Sequence, residues 1–152
     1  MTNLDKLEQL LLKKYVLIDA DLTEFNISSF FNTVDFSFYS SSYNDNLKKQ
    51  GIKYDSKIHD FLVSCKFENC FTVNLSHDKN YGDDKYNKQK FNKYFIQSFE
   101  ITKDDDDFYT FKMSGWPLVE ACIVCRNIIL TSNENGINEI VYNAKNELKK
   151  EE

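Results

Sequence analysis

Apolar residues recur at Leu4, Leu7, Leu10, Leu11 and Tyr15, with Lys6, Glu8, Gln9 and Lys13 between them, which is the spacing of one helix face. Thr2 or Asn3 stands where an N-cap is needed, so the pattern predicts an amphipathic helix over about 3–15. Runs rich in β-branched and aromatic residues follow. Val16–Ala20 and Val34–Tyr39 read as strands, the second alternating with period two. Leu22–Thr33 fits either class and has room for a helical turn, and Ser40–Asn46 reads as loop.

Further along, Phe61–Phe67 and Cys70–Leu75 are apolar runs separated by Glu68-Asn69, the arrangement expected of a β-hairpin. Asp83 or Asp84 can cap a helix reaching about Ser98, with Phe91, Tyr94, Phe95 and Ser98 on one side and Lys85, Lys90 and Lys93 elsewhere. A second hairpin is expected from Phe99–Ile101 and Phe108–Met113 around an Asp-rich turn, ended by Gly115 and Pro117. Leu118–Leu130 suits a helical stripe or a buried strand equally. Ile137, Ile140, Val141, Ala144 and Leu148 line up as the apolar face of a terminal helix over about 137–149. The fold class these elements imply is α+β: a single domain over 1–152, built on a mainly antiparallel sheet of hairpins. Amphipathic helices stand at both ends and one lies between the hairpins.

Composition narrows the function classes. A chain of 152 residues with 41% hydrophobic and 28% charged residues can bury one continuous core. Only four Gly and one Pro leave no glycine-rich loop for phosphates, so no Walker or dinucleotide fingerprint is present and no cofactor is expected. Charges within Met1–Glu8 interrupt any secretory core, and Glu120 and Arg126 break the longest apolar stretch, Trp116–Leu130. A cytoplasmic protein without a membrane span is the expectation. Net charge is −5, which opposes nonspecific attraction to nucleic acid or anionic lipid and favours a basic protein partner. Lys85–Tyr94 interleaves cations and aromatics as single-strand binders do, but its aromatics are needed for the helix face, and Arg126 is the only arginine.

Three groups of residues carry candidate chemistry. Cys65, Cys70, Cys122 and Cys125 form a C-x4-C and a C-x2-C, a tetrahedral zinc set should the pairs meet, although their apolar neighbours fit buried free thiols better. His59 and His77 sit at the outer ends of the expected first hairpin, where pairing would bring them together for metal binding or acid/base work; two surface histidines are the plainer reading. Between Tyr15 and Asn46 there is no Lys or Arg, while Asp19, Asp21, Glu24 and Asp35 occur among Phe36, Phe38 and other aromatics; Asp104, Asp105, Asp106 and Asp107 add a second acidic spot. Such acids could steer a basic partner and such rings could anchor it. The plainer reading is that the rings are core and the acids keep the protein soluble.

With no recognisable catalytic constellation, the sequence points to a small acidic binding protein. It would occupy and neutralise a protein partner, as immunity proteins, antitoxins and phage-encoded inhibitors of host factors do. One alternative is a protein, or small enzyme, that binds a nucleotide-like ligand through the histidine pair. Another is an assembly component that joins other chains through an exposed strand.

Overall fold

The computed structural model describes residues 2–28, 32–51, 62–77, 94–116, 119–133 and 137–146. Helix α1, Asn3–Gln9, opens with a reciprocal cap. The Thr2 hydroxyl accepts from the Asp5 amide at 3.0 Å, and the Asp5 carboxylate accepts from the Thr2 amide at 3.1 Å. Those hydrogen bonds hold the Asp5 carboxyl below its ordinary value. The helix widens into a π-helical turn over Leu10–Lys14, closed by the Tyr15 amide on the Leu10 carbonyl at 2.8 Å. Leu7, Leu11 and Tyr15 are thereby all buried.

The described residues form a sheet of seven strands: β1 Asp21–Ser28, β2 Thr33–Tyr39, β3 Leu62–His77, β4 Tyr94–Lys103, β5 Tyr109–Trp116, β6 Val119–Asn133 and β7 Ile137–Asn143. All pairings are antiparallel. β2 lies between β1 and β3, β3 pairs with β6, β6 with β5, β5 with β4, and β4 returns to β1, so six strands close a ring. The closing seam is short: Asp21 pairs with Phe95 and Leu22 with Tyr94. β7 pairs with the second half of β6, beyond the stretch that β5 covers. Inside the ring Phe36, Phe67 and Phe111 pack at centroid distances of 4.9 to 5.9 Å, joined by Val34, Phe38, Val63, Ile123 and Leu130.

Several expected elements take another form. Val16–Ala20 is a turn and not a strand: Val16 (φ 51°) and Asp19 (φ 68°) are both left-handed, which ends the helix and breaks an extended run. Of Leu22–Thr33, which fitted either class, residues 22–28 lie in β1 and Thr33 begins β2; 29–31 lie outside the described residues. Ser40–Asn46 is not loop but the start of helix α2, Ser41–Lys49, capped by the Ser40 hydroxyl on the Tyr43 amide at 3.2 Å. Tyr43 and Leu47 are its buried stripe, too short to register as a period, and Tyr43 meets Tyr15 edge-on at 5.1 Å.

The expected hairpin at Glu68-Asn69 is instead one continuous strand. A two-residue type I′ turn needs positive φ at both central positions, and only Asn69 (φ 55°) has it. The chain forms a β-bulge there, with the register shifting between Cys70 and Thr72, while β6 pairs with β3 on both sides of it. Of the ambiguous run Leu118–Leu130, residues 119–130 lie in β6 and Leu118 is outside the described residues. The terminal helix expected from 137 is β7 up to Asn143, then a 3-10 turn over Ala144–Asn146. Ile-Val-Tyr within it favours a strand, and the open half of β6 supplies the partner that overrides the helical spacing. Residues 94–98 of the expected middle helix belong to β4; the remainder, 83–93, lies outside the described residues. The second hairpin is present, as β4 and β5 around the acidic turn. Among the described residues no helix is long and apolar enough to cross a membrane.

Candidate functional site

The bulge in β3 decides what its next side chain does. Along the strand Val63, Cys65 and Phe67 point into the ring and are buried. One inserted residue at the bulge upsets this alternation, and Phe71 emerges on the outer face with 79% of its surface exposed. It is the most exposed large apolar residue among those described. Phe71 does not stand alone. Its ring lies 5.8 Å from that of Phe108, in the turn just before β5, and the Arg126 guanidinium of β6 sits 4.4 Å over the Phe108 ring. Two neighbouring strands and the turn leading into β5 therefore contribute one aromatic–cation stack, open to water on its Phe71 side.

The acidic turn adjoins this stack in the chain. Asp104 folds it by accepting from the Asp106 and Phe108 amides, each at 3.0 Å, through one carboxylate oxygen. Asp107 takes a left-handed conformation and pairs with Lys103 at 3.2 Å. Asp105 and Asp106 are left exposed and take part in no ion pair among those described. Two of the four carboxylates thus build the turn and two present bare negative charge beside an exposed ring. Further along the same strands the outer face carries Ser98, Ser114, Glu120 and Ser76, then Glu100, Lys112, Cys122 and Asn74, lining a shallow cleft of about 700 Å³. Leu75, Phe99, Met113 and Ala121 add apolar lining, and Ser98 and Ser114 share a hydrogen bond of 2.6 Å.

The other expected partner residues lie elsewhere. Asp21 pairs with Phe95 at the far end of β4, roughly 26 Å along that strand from the acidic turn. Asp19 is exposed in the turn before β1. Glu24 accepts from the Asn26 amide group at 3.2 Å. Asp35 lies opposite Lys66 on the outer face of β2, and burial raises its carboxyl, countered by Lys66 and reinforced by Glu24. The two acidic spots expected from the sequence are thus separate: Asp21 and the turn of Asp104–Asp107 lie at opposite ends of β4. Phe36 and Phe38 are 2% and 0% exposed, so they are core and cannot anchor a partner. Phe71 and Phe108 sit within runs that read as core strands, and the one local signal against that reading is Asn69, a residue that tolerates positive φ.

The cysteines do not assemble as two meeting pairs. Cys65 lies opposite Leu130 and Cys122 opposite Asn74, whereas Cys70 and Cys125 face one another across β3 and β6. Among the described residues no group of three or more His, Cys, Asp or Glu could hold a metal ion. Burial pushes the Cys70 thiol up to about 11 and raises Cys65 and Cys125 as well. His59 lies outside the described residues. His77 ends β3, and because that strand runs straight through Asn69, the turn that was to bring the histidines together is absent.

No curated protein matches this chain. Residues 4–132 match the family described as immunity protein PIM7, a stretch running from α1 through nearly all of β6. Proteins of an immunity family act by binding a protein partner. The chain belongs to the PIM7 immunity protein family.

Proposed function

We propose that this chain neutralises a toxic protein by occupying a basic surface on it, with Phe71 as the buried anchor and the exposed carboxylates of Asp105 and Asp106 steering the encounter. The observation that carries this reading is the presentation of Phe71: a large apolar ring, 79% exposed, braced from behind by Phe108 and Arg126. Binding hot spots concentrate in a few aromatic and arginine side chains that fill a pocket and shed water. A braced ring has little conformational freedom to lose, and neighbouring negative charge favours a cationic partner and raises the association rate. The acids of the β1–β2 face, with Lys66 among them, are mixed in sign and support this less well.

The test is a capture experiment run in parallel with wild-type chain and Phe71→Ala on lysate of the native host, followed by co-expression of any captured protein. Wild type should retain one near-stoichiometric basic protein whose expression alone stops growth, and co-expression should restore it. Phe71→Ala should lose most of both effects. Absence of any such protein would sink the neutralising role; equal capture by the variant would move the site away from Phe71.

A further inference from the structure

Cys70 lies directly across from Cys125, the last pair in register before the bulge at Phe71. Opposed residues of antiparallel strands hold their Cα atoms about 4.5 to 5.5 Å apart with both side chains on one face, inside the roughly 4.4 to 6.8 Å that a disulfide spans. The chain neighbours of this pair are the site itself: Phe71 follows Cys70, and Arg126 follows Cys125. Beside the β3–β6 pairing on either side, the Cys70 amide donates to the Asn32 carbonyl at 3.0 Å and the Cys70 thiol to the Phe67 carbonyl at 3.4 Å. We propose that Cys70 and Cys125 are a redox-sensitive pair whose disulfide locks the β3 bulge and stiffens the aromatic–cation stack beside it. Its effect on partner binding rests on the reading of Phe71 as anchor; formation of the bond does not.

The chemistry runs by exchange with a low-molecular-weight disulfide such as glutathione disulfide. Cys70 is the half-buried member and Cys125 the fully buried one, so Cys70 meets the oxidant first. Its thiolate attacks one glutathione sulfur, forming a mixed disulfide and releasing one glutathione thiolate, which takes up a proton. The Cys125 sulfur, giving up its proton, then attacks Cys70 Sγ and expels the second glutathione. Two protein thiols are oxidised by two electrons and one glutathione disulfide is reduced to two thiols. With Cys70 at about 11, the attacking thiolate is scarce near neutrality, and each unit of rising pH multiplies it about tenfold. The resulting device responds slowly, to sustained oxidising conditions.

The experiment treats the full-length chain with glutathione disulfide at pH 8 and pH 9, then maps the product by peptide mass spectrometry. The expected product is two hydrogens lighter, links Cys70 to Cys125, and forms about ten times faster at the higher pH. Its melting temperature should rise by about 10 °C, and deuterium exchange at the amides of 69–72 should slow. Cys122→Ser should behave as wild type, whereas Cys70→Ser, at a half-buried position, should fold and fail to form the bond. A persistent glutathione adduct, a different linkage, or a Cys70–Cys125 bond that leaves exchange at 69–72 unchanged would overturn the proposal. These readings need no toxin, so they stand or fall apart from the neutralising role.

Discussion

Two aromatic clusters sit a few residues apart in this protein and do opposite things. Phe36, Phe67 and Phe111 meet inside the ring, each no more than 2% exposed; Phe71 and Phe108 meet at a similar ring distance outside it, under a guanidinium and facing water. Phe67 and Phe71 belong to the same strand. What separates a core residue from an exposed one here is one bulge at Asn69–Phe71, which upsets the inside–outside alternation of β3. The inner cluster gains from burial and dense packing, and the outer one leaves apolar area exposed to water.

That contrast can be broken from either side. Phe67→Ala or Phe111→Ala should cost about 3 to 5 kcal/mol of stability, read by chemical denaturation, because a large cavity opens where no water can enter usefully. A loss under about 1 kcal/mol would mean that the inner cluster is not the core described. Phe71→Ala should change stability by less than about 0.5 kcal/mol yet weaken the proposed toxin complex by about 30-fold, equivalent to about 2 kcal/mol. Substantial destabilisation by that variant would instead make Phe71 structural. Asp105→Asn with Asp106→Asn should slow association about threefold at low salt, with the difference vanishing near 0.5 M salt, as measured by stopped flow. Asp104 and Asp107 are unsuitable for that test because they hold the turn.

The smallest effect belongs to Asp35. Its carboxyl is raised mainly by burial, so the folded protein disfavours the charged form relative to the unfolded chain. Ionisation above the unfolded value therefore opposes folding, and stability from this group improves as pH falls through the folded value. Asp35→Asn should raise the melting temperature by about 1 °C at neutral pH and by nothing in acid. A drop at neutral pH would show that the contact with Lys66 outweighs burial.

Legibility in the sequence followed how local the deciding interaction is. The Thr2-capped helix, the alternating strand ending at Tyr39 and the hairpin around Asp104–Asp107 are fixed by neighbours in the chain, and they were readable. β7 departs from that rule: its partner β6 directly precedes it, yet the spacing of Ile137, Ile140, Val141 and Ala144 is that of a helix face and hides the strand. The single long β3 depends on a partner some fifty residues away, which keeps the two runs collinear across Asn69. For the site, the acidic turn was visible as a charge run. Phe71 was not, since an unbroken alternation from Phe67 would bury it, and only the bulge exposes it.

The uneven closure of the ring has a kinetic consequence. β1, β2 and β3 follow one another as one meander and β4 through β7 as another, joined by the long β3–β6 pairing on one side and by two residue pairs at the β1–β4 seam on the other. Each meander can zip from local contacts, but the β3–β6 register must be found across a large loop, which makes it the slow step of folding. The seam, with the least to lose, is where the native ring opens first. Amide exchange at Leu22 and Phe95 should therefore report a partial opening of low free energy, while amides of β6 opposite Phe67 exchange only when the whole molecule unfolds.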